Sequence, residues 1–218
     1  MQNQYYNYQI KRTVSGLIYA ILFLYTTITT GPLPFYIAIM ILLLGSLYEA
    51  FKIIKTKKIL IIFIIYIITA FYLLIKIKLL ESGAIALFIL LCHVFASDTG
   101  GYLVGKLFGK HMLSKISPQK TWEGVIGSLL LSLIVSLYFS TEITNIINIH
   151  HLFFSIIICT SCIIGDLIVS KIKRITNQKE SGKFLPGHGG FLDRLDSLFM
   201  STPVFFLSLK TNYLVICI

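Results

Sequence analysis

Read for its hydrophobic and polar positions, the chain runs in long apolar stretches separated by short polar breaks. It shows neither the period of two of a half-buried strand nor the 3.6 period of a soluble amphipathic helix. Runs of about 18 or more nearly uncharged residues can cross a hydrocarbon core roughly 30 Å thick. The pattern predicts seven spans: Thr13–Thr30, Leu33–Phe51, Ile59–Ile75, Gly83–Ser97 (expected to continue), Gly124–Ser140, Leu152–Val169 and Leu195–Leu209. The expected fold is an all-α, polytopic transmembrane helix bundle. Residues 1–218 form one integral membrane domain, with N-terminal spans in 13–75, a polar-rich region over 83–197 and a last span in 195–218.

Composition agrees: 56% of residues are hydrophobic, 13% are charged, and the mean hydropathy is +0.84. A net charge of +10 would suggest nucleic acid in a soluble protein. Here the sides of the membrane account for it. With the N-terminus in the cytoplasm, 16 lysines and arginines fall on the cytoplasmic side and 3 (Lys76, Lys78, Lys210) outside, the sense of the positive-inside rule. The expected partner is a lipid bilayer, with no nucleic acid. Cys159 and Cys162 form a C-x-x-C, but within an expected span they read as small buried residues rather than a redox or zinc pair. The N-terminal segment lacks the small-residue cleavage site of a signal peptide.

Charges are costly in lipid, so their positions are informative. Of nine acids, Glu81 and Glu142 fall outside and Glu49 ends the second span. The remaining six are Asp98, Glu123, Asp166, Glu180, Asp193 and Asp196. All map to the cytoplasmic ends of spans four to seven or to the cytoplasmic loops 98–123 and 170–194. This one-sidedness weighs against a transporter, whose site usually lies near the midplane between repeated halves.

Three clusters carry candidate chemistry. In "SDTGGYLVGKLFGKHMLSKISPQKTWEG", Gly101, Gly105 and Gly109 recur every four residues, a small-residue stripe suited to close helix packing. Asp98 stands at its head, Pro118 suits a helix's first turn, and Lys120 and Glu123 precede the fifth span. In "GDLIVSKIKR", Asp166, Ser170, Lys173 and Arg174 share one helical stripe. Asp166 reads as a metal or proton site, or else as a packing partner for a lysine. In "LPGHGGFLDRLDS", Gly187, Gly189 and Gly190 permit close backbone approach to an anion. His188, Asp193, Arg194 and Asp196 crowd beside them. Carboxylates suit Mg²⁺, which typically takes one or two of them plus substrate phosphates, and basic side chains neutralise phosphate oxygens. No G-x-S-x-G is present. The residues alone predict a membrane enzyme transferring a phosphoryl or nucleotidyl group to a lipid headgroup.

"SKIKRITNQKESGKFLPGHGGFLDRLDS" also closely resembles the signature of the phosphatidate cytidylyltransferase (CDP-diacylglycerol synthase) family, and "SDTGGYLVGKLFGK" and "ISPQKTWEG" resemble its other cytoplasmic segment. Lys179–Glu180 stands where the family usually has Lys-Asp, and the chain is short for the family. The resemblance implies conversion of CTP and phosphatidate into CDP-diacylglycerol and pyrophosphate in phospholipid biosynthesis, at a cell membrane with the site facing the cytoplasm. It implies Mg²⁺ held by Asp166 and Asp193, and a second cation, K⁺, nearby. Lys173, Arg174, Lys179 and Arg194 would neutralise substrate or leaving pyrophosphate, and His188 with Gly187, Gly189 and Gly190 would shape the phosphate pocket. Ser170, Asp196, Asp98, Lys120 and Glu123 would support it, and a homodimer is a candidate assembly. The alternatives are a CTP-dependent lipid-alcohol kinase of the dolichol kinase type and a non-enzymatic transporter.

Overall fold

The computed structural model describes residues 24–28, 31–144, 149–178, 181–182 and 190–210. Six long helices and one hairpin make up most of this: α1 (Pro32–Ile53), α2 (Lys57–Lys78), α3 (Gly83–Phe108), β1 (Met112–Ser114), β2 (Ser117–Thr121), α4 (Trp122–Thr144), α5 (Ile149–Ile175) and α6 (Leu192–Lys210). Five helices, α1 to α5, are long and apolar enough to cross a membrane. The outermost expected span, Thr13–Thr30, lies largely outside the described residues; within it 24–28 are helical. The span expected at Leu195–Leu209 is a helix, but α6 is not among those five.

Local chemistry sets the helix ends. Pro32 begins α1, where its missing N–H costs nothing. Gly83 opens α3 so close to α2 that any Cβ would meet the carbonyls of Ile77 and Lys78. Just past the end of α5 stands Asn177, whose φ of 54° is left-handed. The Gln178 amide then donates to the Lys173 carbonyl at 2.8 Å, satisfying a helix-end acceptor.

α3 and α4 run antiparallel along the closest seam of the bundle. Glycines line both sides: a Cβ on Gly100 or Gly127 would run into the other's carbonyl, and Gly101 and Gly105 lie against Gly124. The stripe expected at Gly101, Gly105 and Gly109 is therefore a packing stripe, joined by Gly100. Below it, Ser128 donates to the Ser97 carbonyl at 2.6 Å, and His93 Nε2 meets Ser136 Oγ at 2.8 Å. In lipid, where apolar surfaces gain little from meeting, close approach and interhelical hydrogen bonds hold helices together. α6 packs between α2 and α5, with Phe199 edge-on to Tyr66 and Phe71 and Phe205 edge-on to Phe154. The outer faces are apolar too: Ile62, Ile65, Ile126, Leu130 and Ile134 are exposed, as a hydrocarbon surround requires.

Three expectations are revised. α3 continues, as expected, beyond Ser97, and it runs as far as Phe108, so residues 98–108 are helical rather than part of a cytoplasmic loop. Pro118 sits in β2, not in a helical first turn. The all-helical class also gains an antiparallel hairpin, pairing Met112 with Thr121 and Ser114 with Ser117. These short strands, MLS and SPQKT, carry no alternation from which a strand could be read. Cys159 and Cys162 are free thiols buried among the helices, as expected of small core residues.

Candidate active site

The last turns of α3 and α5, the first turns of α4 and α6 and the hairpin meet at one end of the bundle. The antiparallel order of consecutive helices brings them there, so clusters far apart in sequence become neighbours. A cavity of about 580 Å³ opens between α3, β2, α4 and α5, within the usual size of ligand pockets. Asp98, Lys120, Asp166, Ser170, Lys173 and Arg174 contribute to its wall, with Gly101 and Thr121.

Thr121 caps α4: its Oγ1 accepts the Gly124 amide at 3.1 Å. That cap aims the preceding residue, Lys120, at Asp166, and the two form an ion pair. One turn on, Ser170 donates to Asp166 Oδ1 at 3.2 Å. The sequence reading left open whether Asp166 serves a metal or partners a lysine. In the structure it faces the cavity and partners Lys120. Arg174 Nε donates to the Ile116 carbonyl at 3.2 Å, pinning the hairpin onto α5. Ser197 donates to Asp98 Oδ1 at 3.0 Å, and Asp98, Asp166 and Asp196 lie within electrostatic range of one another. Arg194 acts on the same group of charges.

Asp193 lies beside the cavity rather than on its wall. Lys173 donates to its Oδ1 at 2.5 Å, and its Oδ2 accepts from the Ser181 amide (2.8 Å), the Ser181 hydroxyl (2.8 Å) and the Gly190 amide (3.3 Å). Burial raises the pKa of this carboxyl, but the hydrogen bonds from Lys173 and Ser181 and the charge of Lys173 outweigh it and hold the pKa below its ordinary value. Glu123 has a different place: it accepts from the His111 amide (3.3 Å) and meets His111 Nδ1 at 2.6 Å, clipping the hairpin to the first turn of α4. Lys179, Gly187, His188 and Gly189 lie outside the described residues, as does Glu180.

Whether these residues suit Mg²⁺ can be judged from the carboxylates. Asp166 and Asp193 each hold a lysine ammonium, and both lysines also line the cavity, so each carboxylate is set to receive positive charge at its edge. Among the described residues, no three His, Cys, Asp or Glu side chains form a closed metal cluster. Mg²⁺ commonly takes one or two carboxylates and completes its shell with water and substrate phosphates, so the donor set fits a metal that arrives with a polyphosphate.

Sequence reasoning missed Glu49. It lies in α1, far from the signature in sequence, yet only 1% of its surface is exposed, and it accepts hydrogen bonds from residues on both sides of Gly190. A lone acid in an otherwise apolar run was the signal available.

Comparison with known proteins places the sequence among relatives. A family model described as "Cytidylyltransferase family" matches residues 58–212. The chain is 35% identical over 204 residues to "Phosphatidate cytidylyltransferase" of Rickettsia typhi, covering 89% of each chain. It is 41% identical over 125 residues to the protein of the same name from Mycobacterium leprae, covering 57% of this chain and 40% of that one. It is 39% identical over 132 residues to YnbB of Escherichia coli, an uncharacterized protein, covering 44% of that protein. The chain thus spans less than half the length of the mycobacterial and Escherichia coli relatives it matches.

Proposed function

The chain belongs to the cytidylyltransferase family, and from that membership we propose that it is a phosphatidate cytidylyltransferase, converting CTP and phosphatidate into CDP-diacylglycerol and pyrophosphate. One observation carries the reading: a cavity of basic and acidic side chains, Lys120, Lys173, Arg174, Asp98 and Asp166, at one end of an otherwise apolar bundle. A lipid phosphate held at the membrane surface and a soluble nucleotide can both reach such a place.

A phosphate oxygen of phosphatidate attacks the α-phosphorus of CTP, the bond to the bridging oxygen breaks, and pyrophosphate leaves with the electron pair. The nucleophile is already an anion, so no strong base is needed. Rate comes from alignment and charge neutralisation. Lys120, Lys173 and Arg174 offset the charge gathered where two anionic substrates meet, and Ser170 orients the Asp166 carboxylate. Asp166 and Asp193 would hold Mg²⁺, which supplies Lewis-acid stabilisation of the triphosphate. A second cation, K⁺, would lie nearby. Arg194, Lys179, His188 and the glycines at 187, 189 and 190 would serve the phosphates. The Gly190 amide itself donates to Asp193, so in this reading Gly190 acts by shaping the segment.

In the same proposal the cavity faces the cytoplasm of a cell membrane crossed seven times. The excess of lysine and arginine at that end supports it. The apolar outer faces leave room for a homodimer.

The test is release of pyrophosphate and CDP by the purified protein in mixed micelles, with CTP, Mg²⁺ and phosphatidate omitted in turn. Pyrophosphate release needing all three is the expected result. CDP release would move the chain to the lipid-kinase class, and flux across liposomes without nucleotide turnover to the transporters. A further expectation concerns the metal: Asp193→Asn raises the Mg²⁺ concentration giving half-maximal rate by about tenfold or more, the order seen when metal-site groups are removed. An unchanged Mg²⁺ dependence would take Asp193 out of the metal site.

A further inference from the structure

We propose that Glu49 is a positioning residue for this reaction: with Gly45 it forms a socket on α1 that holds the end of the glycine-rich segment and the start of α6, and through Ser181 it fixes the Asp193 carboxylate. The role in catalysis rests on the function proposed above; the role in holding the segment does not.

Gly45 and Glu49 lie one turn apart, so they share a face of α1. The ring of Phe191 lies against Gly45, where a Cβ would come within 3.0 Å of three ring carbons. From Glu49, Oε1 accepts the Phe191 amide at 3.0 Å, and Oε2 accepts the Leu192 amide at 3.0 Å. These are among the amides that the start of a helix leaves without an intrahelical partner, so a carboxylate from another helix caps α6. Negative charge is favourable there because it complements the helix dipole.

The same carboxylate reaches the other side of the segment. The Ser181 hydroxyl stands between two carboxylates, 3.0 Å from Glu49 Oε2 and 2.8 Å from Asp193 Oδ2, and the Ser181 amide donates to Asp193 at 2.8 Å. A shift of Glu49 is thereby passed to Asp193 through one residue. The chain wraps Glu49 so tightly that a Cβ on either Gly182 or Gly190 would overlap its carboxyl group. The two described glycines of the segment are therefore small because an acid from α1 occupies the space beside them. Glu49 itself lines no part of the cavity, so it acts through Asp193 and not on the substrate.

Hydrogen exchange on the full-length protein in micelles, with pyrophosphate-release kinetics on the same samples, tests this. Glu49→Gln and Glu49→Ala are expected to speed exchange of the 190–192 amides by about tenfold or more, the size of one lost charge-assisted hydrogen bond. Alanine exceeds glutamine because glutamine keeps one acceptor oxygen, and exchange in α2 and α3 stays as in the parent. Turnover falls and the Mg²⁺ requirement rises in the same order, which a general loss of stability would not produce. Gly45→Leu is the second variant: it pushes the Phe191 ring away while leaving the carboxylate in place, and the same local pattern is expected. Unchanged exchange at 190–192 in all three variants, or equal acceleration throughout the bundle, overturns the proposal. If the parent protein releases no pyrophosphate, the functional reading fails, while the exchange pattern still decides whether Glu49 holds the segment.

Discussion

Asp166→Asn is expected to cut pyrophosphate release by about 10²–10³-fold, the usual cost of removing one preorganised electrostatic group from an active site. The substitution keeps size and shape, and the neutral side chain can still meet Ser170. It removes the charge that Lys120 now pairs with at the cavity wall. The fold is expected to survive: both side chains of that pair are about a quarter exposed and border the cavity, so the Lys120 ammonium left behind is not sealed away from water. A thermal midpoint close to the parent's, together with lost turnover, assigns Asp166 to the reaction. Near-parental turnover removes it from the mechanism and leaves the Lys120 pair as a packing contact.

Gly100→Leu is expected to have the largest effect on the fold. Leucine is a good helix former, so propensity does not oppose it. The obstacle is on the other helix: a Cβ at Gly100 would lie 2.7 Å from the carbonyl carbon of Gly127 and 3.1 Å from the Cα of Ser128. Those are backbone atoms and cannot rotate away, so α3 and α4 must separate. Overpacking costs about 1–3 kcal/mol where side chains can adjust; here the upper end applies, about 6–12 °C in thermal midpoint for a chain of this size. Turnover falls too, because Asp98 is carried on one side of the seam and Lys120 on the other. Gly31→Ser is the control, since nothing lies within 4 Å of a Cβ there, and its midpoint is expected to stay put. A tolerated Gly100→Leu would mean that the seam is looser than its glycines indicate.

The helices were legible because lipid leaves few choices: a long apolar run must satisfy its backbone within itself, and a helix does so. Five expected spans match helices of the bundle, three of them to within a few residues at both ends, while α3 and α5 run on well past Ser97 and Val169. The end of α3 was less legible, because "DTGGYLVGKLFGK" contains charges and glycines that read as loop. Packing of those glycines against Gly124 and Gly127 keeps the segment helical to Phe108. The hairpin was not legible at all. It exists because Thr121 caps α4, Arg174 holds the Ile116 carbonyl and Glu123 holds His111, all contacts distant in sequence or specific to the folded state.

The site divides in the same way. Residue types and spacing alone identified Asp166, Ser170, Lys173 and Arg174 as one stripe, and α5 presents all four to one cavity. Spacing could not say which cations these acids face. Asp166 and Asp193 look equivalent along the chain, yet Lys120 comes to the first from the hairpin and Lys173 to the second from α5. Glu123 was expected to support the substrate pocket, and the structure shows it holding the hairpin through His111.

By itself, then, the sequence determined that this chain is a bundle of long apolar helices and in which segments its polar residues gather, because burial in lipid and the cost of charge there act residue by residue. The tertiary structure alone decided which charges meet and that Glu49, 132 positions before Ser181, shares a hydrogen bond with it. Such contacts depend on helix order, register and the depth to which glycines let backbones approach, and no local pattern along the chain encodes them.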